Sequence, residues 1–180
     1  MIQYGLLEEN EDTDAYVDKG ISLDEIEKGT GSPTYGSNIK LDPEDTHTWN
    51  NKGIALGKSD EYEEAISCFD EAIKLDPEDS DVWYHKGDSL SSLEKYEEAI
   101  SCFDETIKLD PENYYALSWK ATGLGSLEKY EEAIACYDKL IMLDPEDTIA
   151  WYHKGDSLKE LGRVEEAKQC SAKVKELQQS

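Results

Sequence analysis

The chain has 180 residues, with 42 aspartates and glutamates against 18 lysines and arginines, so its formal net charge is −24 at pH 7. This excess repels phosphate backbones and anionic lipid surfaces, which argues against nucleic-acid binding and against a role at a membrane surface. No apolar run approaches the roughly 18 residues that a membrane-spanning helix requires, and the first residues do not resemble a secretory signal, so we expect a cytoplasmic protein.

The N-terminal region departs from the pattern of the rest of the chain. We expect residues 1–10 to form a flexible segment, although their apolar side chains could cover the open end of a stack. Residues 11–41 contain a weakened copy of the pattern that follows, and we interpret them as a degenerate partial repeat. They include the stretch 29–37, where three glycines and a proline exclude a stable helix interior.

From residue 42 onward the sequence repeats every 34 residues. Cysteines lie at positions 68, 102, 136 and 170, and prolines lie at 43, 77, 111 and 145. The octapeptide at 83–90 recurs unchanged at 151–158, two periods later. The period defines four units, which cover residues 42–75, 76–109, 110–143 and 144–177. Such a period predicts a stack of supersecondary units that bury their apolar faces against one another.

Each unit has the pattern of two helices joined by a short polar turn. An aspartate or asparagine two residues after each proline can accept hydrogen bonds from the first amides of a helix. These residues are Asp45, Asp79, Asn113 and Asp147. In the first unit, apolar residues then recur at helical spacing from Tyr62 to Ile73. Pro77 ends that second helix, because proline disfavours helical geometry at the residue before it. We expect the small residue at Gly53 to face Ala65, and the equivalent residues of the other units to do the same.

These features resemble the tetratricopeptide repeat family. The first three units have an aromatic residue near the start of the first helix, then glycine or alanine and leucine, a Tyr-Glu-Glu-Ala-Ile segment and a Leu-Asp-Pro ending, and the fourth keeps the first-helix part of this pattern. The resemblance covers residues 42–177, and the third unit departs from it because Leu117 replaces the tryptophan and Ala121 the glycine. It implies an all-α fold, a right-handed α-solenoid of antiparallel helix pairs. It also implies that the first helices line a concave groove for extended or helical peptides.

The second helix of the last unit has a different outward face. The column that carries isoleucine, an aromatic residue and isoleucine in the earlier units reads Lys168, Ser171 and Lys175 here. Terminal repeats require a polar outer face. We therefore expect this helix to be a polar cap, with the array ending at it.

The residue types that carry chemistry do not converge in this pattern. Equivalent cysteines on neighbouring helices should lie about 8–10 Å apart, whereas a disulfide requires Cα atoms within about 7 Å. One metal ion cannot collect four cysteines from such a row. The three histidines fall in different units, and no phosphate-binding loop, nucleophile elbow or zinc-protease motif occurs. We expect reduced thiols, no metal site, no cofactor and no catalytic activity.

The surface that can select a partner is the exposed face of the first helices. Aromatic side chains there offer a large contact area at low entropic cost, although Tyr84 and Tyr152 could instead be spacers copied by duplication. The candidate peptide-binding residues are Asn50, Asn51, Ile54, Tyr84, His85, Asp88, Ser118, Trp119, Thr122, Tyr152, His153 and Asp156.

The sequence therefore favours a non-catalytic scaffold or adaptor that binds a peptide or helix of a partner protein. Aromatic faces attract lysine and arginine, and Asp88 and Asp156 lie one helical turn from a tyrosine, so we expect a neutral or basic peptide. Acidic chaperone tails, which some family members clamp with lysine, asparagine and arginine, are disfavoured because only Asn51 matches. One alternative is a structural protein that self-associates through its N-terminal segment as a weak homo-oligomer. The other is a regulatory subunit of an enzyme. The acidity could also serve solubility alone.

Overall fold

The computed structural model describes residues 44–179, which form eight α-helices and no strand. The helices are α1 Thr46–Lys58, α2 Tyr62–Leu75, α3 Ser80–Ser92, α4 Tyr96–Leu109, α5 Tyr114–Ser126, α6 Tyr130–Leu143, α7 Thr148–Glu160 and α8 Val164–Leu177. Consecutive helices form four antiparallel pairs, α1–α2 to α7–α8, and each pair packs against the next. The predicted all-α right-handed solenoid is confirmed. The expected flexible segment 1–10 and degenerate repeat 11–41 lie outside the described residues.

The first helix of every pair begins at the residue that the sequence predicts. Asp79 has extended backbone geometry, and its side chain accepts hydrogen bonds from the amides of Asp81 and Val82. Asp45, Asn113 and Asp147 cap the other first helices in the same way. Loss of such a cap costs about 1 kcal/mol. The second helices have no side-chain cap, and each carries two glutamates in its first turn, where the helix dipole favours negative charge.

The turn inside each pair contains one residue in the left-handed region of the backbone. The φ angle is 63° at Asp60, 58° at Glu94, 58° at Glu128 and 71° at Gly162. Residues other than glycine are strained in this conformation, because their Cβ atom clashes with the backbone. Three pairs therefore hold a strained residue where the fourth pair has glycine.

Inside the first two pairs, the two helices approach closely where a glycine lies under an aromatic ring. A methyl group on Gly87 would lie 2.7 Å from Cε1 of Phe103, and one on Gly53 would lie 2.5 Å from Cε1 of Phe69. Both phenylalanines are fully buried. The nearest atoms to these glycines thus belong to the phenylalanine one turn beyond the expected alanine. The sequence pattern placed both residues on the inner face but did not show which of them covers the glycine.

Neighbouring pairs are joined by apolar packing and by a repeated ion pair. Ile66 of α2 packs against a cluster that includes Phe103 of α4. The Lys86 ammonium lies 2.6 Å from Asp70 Oδ1 of the preceding pair and 5.6 Å from the centre of the Trp83 ring. Equivalent ion pairs join Lys120 to Asp104 and Lys154 to Asp138. Because each contact joins only adjacent pairs, the structure is held together by nearest-neighbour interactions.

The outward face of α8 is polar. Lys168, Ser171 and Lys175 are all exposed, as the sequence predicts. Ala172 stands where the three earlier pairs carry the aspartate of the repeated ion pair, at Asp138 and its equivalents. This face therefore has neither the apolar side chains nor the carboxylate with which the other second helices receive a neighbour. Of the helices described, none has the length and apolar character that crossing a membrane demands.

Candidate functional site

The exposed sides of α1, α3, α5 and α7 form one surface, here called the first-helix face. All twelve candidate residues lie on these helices, and none of them is fully buried. Asn51, Trp119, Thr122, Tyr152 and His153 are exposed. Asn50, Ile54, Tyr84, His85, Asp88, Ser118 and Asp156 are half-buried.

An aromatic cluster joins the second and third pairs on this face. The ring centre of Tyr84 lies 6.5 Å from that of Tyr115 and 6.2 Å from that of the buried Phe103. Burial and the charge of Asp88 raise the pKa of Tyr84 to about 12, while a hydrogen bond from Trp119 acts in the opposite direction. Tyr84 is therefore a neutral phenol that anchors the cluster, and the exposed parts of Tyr115 and Trp119 extend it into solvent.

A second apolar patch lies on α7. Tyr152 is 55 % exposed and Ile149, one turn before it, is 64 % exposed. Ser118 of α5 takes the position that tyrosine holds in α3, one period before it, and in α7, one period after it. The small side chain of Ser118 therefore lies between the aromatic cluster and the patch on α7, where the neighbouring first helices have tyrosine.

The two histidines of the repeated octapeptide pack between pairs. His85 stacks on Phe69 of the preceding pair, with ring centres 6.1 Å apart and planes 19° apart. His153 stacks on Tyr137 in the same way, at 5.9 Å and 21°. Burial lowers the pKa of His85, so this ring is neutral at pH 7. The two rings are therefore parts of the inter-pair contact as well as of the first-helix face.

The two aspartates of the face differ, although they occupy equivalent positions in identical octapeptides. Asp156 Oδ1 lies 2.6 Å from the ammonium of Lys159, one turn along α7. Asp88 is half-buried, burial raises its pKa, and within residues 44–179 no cation or hydrogen-bond donor contacts its carboxylate. Asp156 thus has an ion-pair partner on its own helix, whereas Asp88 has none among residues 44–179.

The N-terminal end of the face is more polar. Asn51 is exposed, whereas Ile54 packs against the core cluster that contains Leu56. The side-chain oxygen of Asn50 is buried and has no hydrogen-bond partner among the described residues. The large exposed apolar side chains of the face are therefore confined to α5 and α7.

Two residues of the face, Tyr115 and Ile149, were absent from the predicted set. Tyr115 is 47 % exposed, and its ring contacts Tyr84. Each lies three residues before a predicted member, Ser118 and Tyr152, and therefore on the same side of its helix. That spacing is the signal that would have identified them. It was obscured because their column is the least regular of the face, with histidine at 47 and aspartate at 81.

The described residues offer no second site of a chemical kind. No three histidine, cysteine, aspartate or glutamate side chains among them converge to hold a metal ion. The four cysteines are buried in the cores of their own pairs and are not joined in disulfides. Burial raises the pKa of Cys102 to about 11 and also raises the pKa of Cys136 and Cys170. These thiols are therefore protonated and shielded.

Three models of one repeat family match the sequence. A model described as tetratricopeptide repeat matches residues 48–79 and 80–113, a second described as TPR repeat matches 126–162, and a third described as tetratricopeptide repeat matches 149–180. No match was found among curated proteins.

Solved structures with the same architecture include three that span most of this chain. YrrB, described as a TPR protein with an unusual peptide-binding site, is 27 % identical, with a TM-score of 0.70 over 77 % of this chain and 72 % of its own. A MamA structure from Desulfovibrio magneticus RS-1 is 26 % identical, with a TM-score of 0.70 over 76 % of this chain and 77 % of its own. Another MamA structure, at 20 % identity, has a TM-score of 0.75 over 88 % of this chain and 96 % of its own and is similar in fold alone.

Proposed function

Because the chain belongs to the tetratricopeptide repeat family, we propose that it is a non-catalytic scaffold whose first-helix face binds a peptide or helix of a partner protein. Proteins built from these repeats are generally interaction scaffolds, and YrrB, which is similar in fold, is described as having a peptide-binding site. The proposal extends that role to the first-helix face of this chain.

The observation that carries the proposal is the distribution of exposed aromatic side chains. Among the large apolar residues exposed within 44–179, every aromatic one lies on the first-helix face: Tyr115, Trp119 and Tyr152. Rigid aromatic side chains lose little entropy on binding and are the commonest anchors of protein interfaces. A surface that served only as a solvated exterior would have no reason to collect them on one face.

The proposed ligand is a neutral or basic peptide. Aromatic faces attract lysine and arginine by about 0.5–2 kcal/mol, and the net charge of −24 accelerates encounter with a basic segment. Raising the salt concentration should slow this association, because exposed charges are screened beyond about 10 Å at 0.1 M salt. A peptide that binds through apolar contacts alone would show little salt response.

The test is a peptide array probed with the full chain and two variants. Trp119→Ala combined with Tyr152→Ala removes two anchors of the face. Leu109→Ala removes an apolar side chain at the end of a second helix that is about as exposed as Trp119. Loss of one such anchor costs about 2 kcal/mol, or roughly thirtyfold in affinity. The proposal requires that the double variant lose the bound peptides and that Leu109→Ala keep them. Equal losses in both, or a wild-type chain that binds no peptide, would refute it.

A further inference from the structure

We propose that Asp88 is the subsite for one basic side chain, lysine or arginine, of the partner peptide, and that Asp156 is not. The inference rests on the proposed function and adds to it the residue that selects the peptide. It depends on a difference between two carboxylates that the sequence presents as equivalent.

The difference arises from the residue one turn further along each helix. Lys159 follows Asp156 by three residues, and their side chains form an ion pair at 2.6 Å. The equivalent position after Asp88 is Ser91, which has no charge. Lys86 is the one lysine of α3, and it forms an ion pair with Asp70 of the preceding pair. Asp88 is therefore left without a cation from its own helix.

Among residues 44–179, no other compensating group contacts the Asp88 carboxylate. It is half-buried on α3, and its charge reaches two phenols: it adds to the burial that raises the pKa of Tyr84 and to the Asp60 hydrogen bond that raises the pKa of Tyr62. Lys58 is near enough to influence His85 but forms no ion pair with Asp88. A half-desolvated carboxylate without a partner is costly for the free protein, and a ligand cation relieves that cost.

The position of Asp88 supplies the rest of a cation site. Tyr84 lies one turn before it on α3 and contacts Tyr115 of α5, so the carboxylate borders the aromatic cluster of the face. Cations are held most effectively where a carboxylate and aromatic faces are both available. A peptide that places an apolar side chain on the aromatic cluster would bring a neighbouring lysine or arginine to Asp88.

The experiment compares Asp88→Asn with Asp156→Asn. The two substitutions remove the same charge from identical octapeptides, so long-range attraction falls equally in both variants. The probes are the tightest-binding array peptide and versions of it in which each lysine or arginine is replaced by glutamine. We expect Asp88→Asn to weaken binding about tenfold and Asp156→Asn to change it less than about twofold. One glutamine peptide should bind wild type about tenfold more weakly, yet bind Asp88→Asn no worse than the parent peptide does.

A second variant tests the same idea without touching the carboxylate. Ser91→Lys places a lysine where α7 has Lys159, so it should neutralise Asp88 internally and weaken the peptide to the level of Asp88→Asn. Thermal melts of each variant show whether it remains folded. Equal losses in the two aspartate variants, or an unchanged affinity in Asp88→Asn, overturn the inference while leaving the proposed function intact. A wild-type chain that binds no array peptide overturns both.

Discussion

Substituting Gly87 by alanine tests the close contact inside the second helix pair. Alanine is favoured over glycine in a helix by about 1 kcal/mol, so an unhindered substitution should stabilise the protein. At Gly87, however, the new methyl group would lie 2.7 Å, 2.9 Å and 3.0 Å from three ring atoms of Phe103. Ordinary carbon contacts are about 3.5–4.0 Å, so the ring would have to retreat by roughly 1 Å.

Phe103 has no room for such a movement. Its side chain is 0 % exposed and lies in a cluster with Leu90, Ala99 and Ala116. Overpacking of this kind costs about 1–3 kcal/mol, which outweighs the gain in helix propensity and leaves a net loss of about 1 kcal/mol for Gly87→Ala. The matched control is Gly125→Ala, because a methyl group on Gly125 would meet nothing within 4 Å. That variant should gain up to about 1 kcal/mol.

The assay is a urea titration of each variant followed by circular dichroism, with the midpoints compared. Adding Phe103→Leu to Gly87→Ala should restore part of the loss, because a smaller side chain relieves the overlap and the two effects are then non-additive. Equal stabilisation by Gly87→Ala and Gly125→Ala would show that the ring is free to move and that the reasoning is wrong.

Three further predictions concern the core, the turns and the end of the stack. Phe103→Ala should cost about 3–5 kcal/mol in a denaturant titration and Tyr84→Ala less than half of that, since only the first removes a fully buried ring; equal losses would contradict the assignment of the faces. Glu94→Gly should raise the free energy of unfolding by about 0.5–1 kcal/mol and Gly162→Ala should lower it by about 1 kcal/mol, because both positions have positive φ; urea midpoints that move in the same direction would count against this. Giving α8 the outward face of the other second helices should cause end-to-end association, measured by sedimentation, because each buried apolar side chain contributes about 1.5–3 kcal/mol; a triple variant that stays monomeric at high concentration would refute the polar cap. The three substitutions are Lys168→Ile, Ser171→Phe and Lys175→Ile.

The sequence predicted helix positions well because several independent signals coincide in each unit. Pro77 prevents α2 from continuing, and Asp79 caps the start of α3. The apolar residues within each helix recur at helical spacing. The twelve candidate residues all fall on the first helices for the same reason. At the positions of Tyr115 and Ile149 the residue type differs in every unit, so the period does not identify them. Their contacts and exposure place them on the face.

The remaining features depend on how the helices are rotated and how deeply each residue is buried. The atoms nearest to Gly87 belong to Phe103, one turn beyond the expected alanine, a detail of packing that periodicity leaves open. Asp88 and Asp156 share eight identical residues, yet one is half-buried without a cation and the other is paired with Lys159. Identity of a local sequence therefore does not give identity of electrostatic environment.

The cysteines provide a built-in way to follow each repeat separately. One thiol lies at the same buried position in every helix pair, and burial raises the pKa of Cys102 to about 11, so a thiol reagent can react only when its own pair opens. In a chain of nearest-neighbour contacts, a terminal unit opens more often than an internal one. Single-cysteine variants should therefore label faster at Cys170, whose pair contacts one described neighbour, than at Cys102 and Cys136, whose pairs each contact two. Labelling rates that are equal along the chain would mean that the whole array opens as one cooperative unit.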